Sequence, residues 1–367
     1  MIELSDEDCP EYIRHYVRNN PSIEVYKHIR RGCNGEVYFG KRKKLGDEVV
    51  LKFYWTSSQN YDETEESAIL QSIQHDNILE IKECHFVSPS CAVFITPKIS
   101  GGDLQNIIDS RPISTKEALE IVSGILMGLT ELHSKHNLVH RDLKPGNILI
   151  DEITRKPIIA DLGAVKKILD ANTAVTASKS THLYLPPESI KQNQYYFESD
   201  IYQVGVILFQ LLNGFFPINE PNEWLSKKEF AESNMIRNER DKYEKQKKIL
   251  EGKIIKGNLI DSKTLPCHLD QSFKRIINTA TNLNYLKRYK NPSLFLKDIH
   301  KIHRECPDYL YQNGILNISH DNGKCFRIYK NSEQGFTLEK SVSNNSWRKE
   351  NSHNGTMESM LLVARKK

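Results

Sequence analysis

The chain has 367 residues, 38% of them hydrophobic and 27% charged, and its 51 Lys and Arg nearly balance 47 Asp and Glu to leave a net charge of +4. That length holds two medium domains, or one two-lobed domain with an appendage, and so slight a charge leaves no nucleic-acid footprint, so no nucleic-acid partner is expected. Seven scattered cysteines with no C-x-x-C pair fit free thiols in a reducing compartment better than a disulfide framework.

Residues 1–21 read as a polar leader; MIELSDEDCPEY is acidic and has no apolar run, which predicts no secretory signal. From 23 to 96 short β-rich runs dominate, EVYFG, DEVVLKFYW and SCAVFIT, with one helical pattern, ETEESAILQSIQ, between them. After Gly101-Gly102 the texture turns helical. Ser114 with Glu117 three residues on predicts a capped helix start. Ala118, Ile121, Val122, Ile125, Leu126, Leu129 and Leu132 then recur at helical spacing. The most apolar stretch, IYQVGVILFQLLNGFFPI at 201–218, is broken by Gln203, Gln210 and Asn213. It is barely of span length, so a buried core helix is expected rather than a membrane segment, in a soluble, cytoplasmic protein. Segment 223–256 is densely charged without a dominant apolar stripe, which predicts one or two solvated surface helices. Past about 305, Asp321-Asn322-Gly323 signals a turn and FRIYK and FTLEKSV alternate as strands do. This tail is too short to promise a core of its own without staples. It is expected to dock on the rest of the chain or to bind a partner.

Chemistry concentrates in HRDLKPGNILI, 140–150, and IIADLG, 158–163. Asp142 can take a proton from an incoming hydroxyl, while Asn147 and Asp161 offer the hard oxygens that Mg²⁺, or Mn²⁺ in its place, prefers. The strands NILI and PIIAD, joined by DEITRK, would hold these groups on one hairpin. Lys52 lies in the apolar strand VVLKFYW, where an unpaired ammonium is costly. In IRRGCNGEVYFG, 29–40, Gly32 and Gly35 suit a loop passing close to phosphate. Arg30 stands where a third glycine would, at an outer strand position from which a side chain can face solvent. His133, His136 and His140 form H-x-x-H-x-x-x-H; the first two, at a helix end, read as partners of its dipole rather than as metal ligands.

These motifs, in this order, resemble the eukaryotic-like serine/threonine protein kinases, over residues from about 26 to 304. The resemblance implies an α+β, bilobal fold: a small β-rich N-lobe at 22–98 and a larger helical C-lobe at 99–304. The charged segment at about 223–256 would be an insertion in the second lobe, and 305–367 a short β-rich C-terminal extension. It also implies an ATP site. Gly32, Gly35 and Val37 would cover the phosphates, and Lys52, paired with Glu66, would hold them. Thr96 falls at the gatekeeper position, and Pro97 to Ile99 would face adenine. Pro97 has no N–H, so the hinge donor would be Ile99; Asp103 would reach the ribose. Asp142 would be the catalytic base, aided by Lys144, with Thr181 close by and Asn147 and Asp161 on the metal. LYLPPES and SDIYQVG match the family's later motifs through Pro186-Pro187-Glu188, Asp200 and Gly205, with Arg288 as partner of Glu188.

The function so implied is transfer of the γ-phosphate of Mg-ATP to serine and threonine of protein substrates. Thr173, Thr176, Ser178 and Ser180, near Arg141, are candidate autophosphorylation sites in the 164–182 loop. Arg30, DLG in place of DFG and PPE in place of APE depart from the family pattern. Two other readings stay open. A pseudokinase scaffold is opposed by the intact Lys52, Asp142, Asn147 and Asp161. A small-molecule kinase of the aminoglycoside-phosphotransferase type is opposed by the PPE segment and the Asp200 helix. No membrane association is expected. An activator, or a partner for 305–367, is.

Overall fold

The computed structural model describes residues 9–30, 36–55, 68–169, 174–176, 182–214, 216, 224–331, 335–343, 346–350 and 355–365. Strands β1 (Ile23–Arg30), β2 (Glu36–Arg42), β3 (Glu48–Trp55), β4 (Glu83–Ser88) and β5 (Cys91–Pro97) form an antiparallel sheet in the order β1-β2-β3-β5-β4. The period of two along a strand sorts β3 into two faces. Val49, Leu51 and Phe53 are buried on one, and Lys52 and Tyr54 turn to the other. Helix α1 (Glu11–Arg18) lies in the stretch read from sequence as a polar leader. Its Ile13 and Val17, one turn apart, pack with Tyr38, Val49, Leu51 and Phe53 on the outer face of the sheet. Two apolar residues in an eight-residue helix are too short a stripe to be read without the surface they cover.

The second lobe is built around α3 (Thr115–Thr130), preceded by α2 (Leu104–Ser110). Ser114 caps α3 by accepting from the Glu117 amide at 3.3 Å, and Glu117 turns its carboxylate to Arg111. The recurring apolar residues of α3 are buried, as their spacing predicts. A short π-helical turn, Glu131–Lys135, and strand β6 (Leu138–Val139) lead into the catalytic-loop motif. Strands β7 (Ile148–Ile150) and β8 (Pro157–Ile159) pair as the hairpin expected for NILI and PIIAD. Two short strands follow, β9 (Lys166–Lys167), paired with β6, and β10 (Val175–Thr176). Next come α4 (Pro187–Gln192), β11 (Gln194–Tyr195), which pairs with β10, and α5 (Phe197–Leu211).

Helix α5 is the buried helix expected at 201–218, but it is shorter than the apolar run. Asn213 takes a left-handed φ of 58° and the chain turns at Gly214. Among the described residues no helix is long and apolar enough to cross a membrane. The charged segment forms two surface helices, α6 (Lys227–Asn234) and α7 (Glu239–Lys256); α7 lays Leu250 and Ile254 into the core of the lobe. Helices α8 (Gln271–Ala280) and α9 (Pro292–Glu305) complete the lobe.

The tail folds into a sequential antiparallel meander: β12 (Asp308–Gln312), β13 (Ile315–Ser319), β14 (Cys325–Lys330), β15 (Phe336–Ser343) and β16 (Ser346–Lys349). Asn313 and Gly314, with φ of 51° and 78°, make the first turn, and the expected Asp321-Asn322-Gly323 turn makes the second. Leu316, Ile318, Ile328 and Leu338 face α10 (Met357–Arg365) through Met360, Leu361 and Ala364. All of them belong to the same apolar cluster as α3 and α5, so no separate core is needed. Asp308 accepts from the Lys116 amide at 2.8 Å, and Arg365 donates to the His268 carbonyl at 2.7 Å.

Candidate active site

A cavity of about 230 Å³ lies between the two lobes. Val37 and Val50 line it from the first lobe and Leu149 from the second, with Thr96, Ile99 and Asp103 along the connecting segment and Lys52, Asn147 and Asp161 also in its wall. So the structure brings Val37, Lys52, Thr96, Ile99, Asp103, Asn147 and Asp161 together around one space. Asp103 also caps α2, accepting from the Asn106 amide at 2.9 Å. The sequence reading passed over Val50 and Leu149, which carry no motif signal beyond strand alternation.

Asp142 is buried beside this space. Its Oδ2 accepts from Lys144 Nζ at 2.9 Å and from Asn147 Nδ2 at 3.0 Å. Its Oδ1 is buried and has no hydrogen-bond partner among the described residues. Asn147 Nδ2 also donates to the Asp142 carbonyl at 2.7 Å. That commits the nitrogen end of the amide to Asp142 and leaves the oxygen end as the donor for a cation. Asp161 sits in the left-handed region, φ 60° and ψ 56°, a conformation that costs free energy outside glycine and persists only where surroundings impose it. Burial pushes its carboxyl pKa up, but Lys52 and Tyr54 outweigh burial and hold it below the usual carboxylate range. An ionised carboxylate and an amide oxygen flanking one cavity suit Mg²⁺, which takes few protein ligands and leaves positions for phosphate. The residues present therefore fit a divalent cation with a nucleotide.

Lys52 ion-pairs with Asp161. Its expected partner Glu66 lies outside the described residues, as do Gly32, Gly35, Thr181, Thr173, Ser178, Ser180 and the side chain of Arg30. Arg141, expected near a modified loop, donates from its guanidinium to the backbone carbonyls of Ala164 and Thr176.

The loop is held from below by Asp200, which is fully buried. Its Oδ2 accepts from the His140 amide and from His133 Nε2, each at 2.8 Å, and its Oδ1 accepts from the Arg141 amide at 3.0 Å. Burial opposes its ionisation, but these donors prevail and its pKa lies below the usual range. His133, at the helix end as expected, is thus also a buried partner of Asp200. Among the described residues no cluster of His, Cys, Asp or Glu is arranged to hold a metal by itself. Gln203, also fully buried, accepts from the Leu143 amide at 2.9 Å and so fixes the residue after Asp142. The sequence signal was a polar side chain inside an apolar helix, which must find a partner when buried. Glu188 and Arg288 form a buried two-point pair at 2.7 and 2.8 Å.

A family profile described as protein kinase domain matches residues 23–298. Serine/threonine-protein kinase D2 of Rattus norvegicus is 33% identical over 200 residues, which is 52% of this chain and 22% of that protein. A probable serine/threonine-protein kinase of Lactococcus lactis is 32% identical over 205 residues, covering 53% of this chain and 32% of its own length. A probable myosin light chain kinase of Dictyostelium discoideum is 32% identical over 202 residues, covering 53% and 56%. The chain thus spans about a fifth of the rat relative and about half of the Dictyostelium one. With the profile covering most of the chain and the loop, lysine and metal-type residues meeting at one cleft, this protein belongs to the eukaryotic-like serine/threonine protein kinase family.

Proposed function

We propose that this chain transfers the γ-phosphoryl group of Mg-ATP to serine and threonine hydroxyls of proteins. The observation that carries the reading is Asp142: one carboxylate oxygen is fixed by Lys144 and Asn147, and the other is buried with no donor among the described residues. A buried acceptor left unpaired is costly, and an incoming hydroxyl supplies the missing hydrogen bond. Asp142 then orients that oxygen for attack and takes its proton. Lys144 Nζ, on the far side of the same carboxylate, meets the charge that develops on the phosphoryl group. Lys52 holds the nucleotide phosphates, and Val37, Val50 and Leu149 enclose the base beside Thr96 and Ile99. Asn147 and Asp161 hold the cation, Mg²⁺ with Mn²⁺ as an alternative. When bound, that ion would supply positive charge to offset that of the phosphates.

Gly32, Gly35, Glu66 and Thr181 keep the roles that family resemblance implies for them, as does the 164–182 loop as a site of autophosphorylation. The same reading divides the chain into lobes at 22–98 and 99–304, with 305–367 as an appended element for an activator or partner. A cytoplasmic location agrees with seven scattered cysteines that form no C-x-x-C pair.

The test is transfer of labelled phosphate from Mg-ATP to a generic basic protein, with Asp142→Asn beside the wild type. We expect label on serine and threonine, a loss of about 10²- to 10⁴-fold in the variant, and Mg-ATP binding unchanged in both. A wild type that binds Mg-ATP but transfers nothing, or a variant as active as the wild type, would overturn the proposal.

A further inference from the structure

Tyr54 is two residues after Lys52 on β3, so both side chains leave the same face of the strand. The Lys52 ammonium lies 5.0 Å from the centre of the Tyr54 ring, within reach of the attraction between a cation and an aromatic face. The Tyr54 hydroxyl donates to Asp161 Oδ1 at 3.1 Å, the oxygen that also pairs with Lys52. Among the described residues no hydrogen bond engages Asp161 Oδ2. The ring also packs against Phe94, with centroids 4.9 Å apart and planes inclined at 51°.

The ring also meets the backbone of the DLG motif. A Cβ built on Gly163 would lie 2.0 Å from Tyr54 Cε1. Gly163 does not have the positive φ that would itself demand glycine. The Tyr54 ring is the first thing a side chain there would meet.

We propose that Tyr54 is a positioning residue for the metal-binding carboxylate. Its hydroxyl holds one oxygen of Asp161 so that the other is presented to the cation, and its ring fixes the backbone of the motif through Gly163. The inference rests on the reading of Asp161 as a metal ligand. Lys52 leads a double life in this arrangement, shared between the nucleotide and Asp161, whereas Tyr54 stays on Asp161 throughout. Removing the hydroxyl therefore weakens what the metal adds to nucleotide binding, and spares what the nucleotide gains without metal.

The experiment is calorimetric titration of the full chain with ATP, in the presence and absence of Mg²⁺, for wild type and Tyr54→Phe. Wild type gains affinity on adding Mg²⁺. In Tyr54→Phe that gain shrinks about tenfold, as expected for one hydrogen bond to a charged group, while metal-free ATP binding stays within about twofold of wild type. An undiminished gain in the variant, or an equal loss with and without metal, overturns the inference alone. A wild type that binds ATP equally with and without Mg²⁺ overturns the metal reading of Asp161 and the inference with it. A second pair of variants tests the ring. Gly163→Ala is expected to lower the metal-dependent gain in wild type, yet to have little further effect in a Tyr54→Ala background, where the ring atoms that the added methyl would meet are gone. Equal harm in both backgrounds overturns the role of the ring.

Discussion

Gly101 and Gly102, which mark the change of texture between the lobes, are glycines for different reasons. At Gly101 an added Cβ would lie 2.1 Å from the carbonyl oxygen of Ile150, a backbone atom that cannot swing aside. At Gly102 there is open space, but φ is +76°, which a side chain resists. The Gly102 carbonyl accepts from the Ile150 amide at 2.9 Å, so this pair lashes the inter-lobe segment to β7, the strand that follows Asn147. Gly101→Ala must push β7 away and is expected to cost about 1–3 kcal/mol of stability, with weaker ATP binding. Gly102→Ala costs about 1–2 kcal/mol through its backbone alone, with ATP binding preserved. Chemical denaturation and calorimetry on the two variants check this; equal effects on ATP binding would contradict it. Sequence alone marks both as a break in pattern, and only the approach of Ile150 separates their roles.

Between elements, the contact of the extension with the lobe carries a pH dependence. His268 is buried just ahead of α8, its ring 5.0 Å from that of Tyr309 in β12. Burial, and then the nearby Arg365 charge, push its pKa down to about 4. An unfolded histidine takes up its proton near pH 6.5, so between those values the unfolded chain binds the proton and the folded chain does not. The contribution of His268 is therefore full above about pH 6.5 and is lost as pH falls toward 4, up to about 3 kcal/mol in all. Denaturation midpoints should drop between pH 7 and 5, and His268→Gln should flatten that slope. An unchanged slope in the variant would exclude His268 as its source. Elements with internal periodicity were readable in advance: α3, the β7–β8 hairpin and the strands at FRIYK and FTLEKSV. The β12–β13 hairpin was passed over although Asn313-Gly314 is a strong turn signal; its strands are short, and their buried residues Tyr309, Leu316 and Ile318 join a core shared with elements distant in sequence.

For the whole molecule, the grouping of apolar residues predicts how it opens. The outer face of the first-lobe sheet and α1 have a cluster of their own, whereas Leu70, Ile73, Ile78, Ile81 and Phe94 of that lobe and the extension share one with α3, α5 and α9. Cooperative units follow shared packing. Amides of Leu316, Ile318, Ile328 and Leu338 should therefore exchange with solvent as slowly as those of α3, and more slowly than those of β2 and β3. Native-state hydrogen exchange measures this. Early exchange of the meander as a unit would mean that it unfolds independently of the lobe.

The groups proposed to react could be picked out together because they lie close in sequence. Asp142, Lys144 and Asn147 lie within six residues, and a short loop followed by a hairpin brings Asp161 back to them whatever the rest of the chain does. The bilobal order was legible too, since strand and helix periods differ and the prevailing texture turns from strand to helix after Gly101-Gly102. Tertiary structure alone decided the remainder. It covered the sheet with α1, turned His133 and Gln203 from helix residues into supports of the catalytic loop, put the Tyr54 ring over Gly163, and merged the tail with the second lobe. Each of these depends on which distant surface excludes water from a side chain, and burial against a surface far off in sequence leaves no period in the sequence to read.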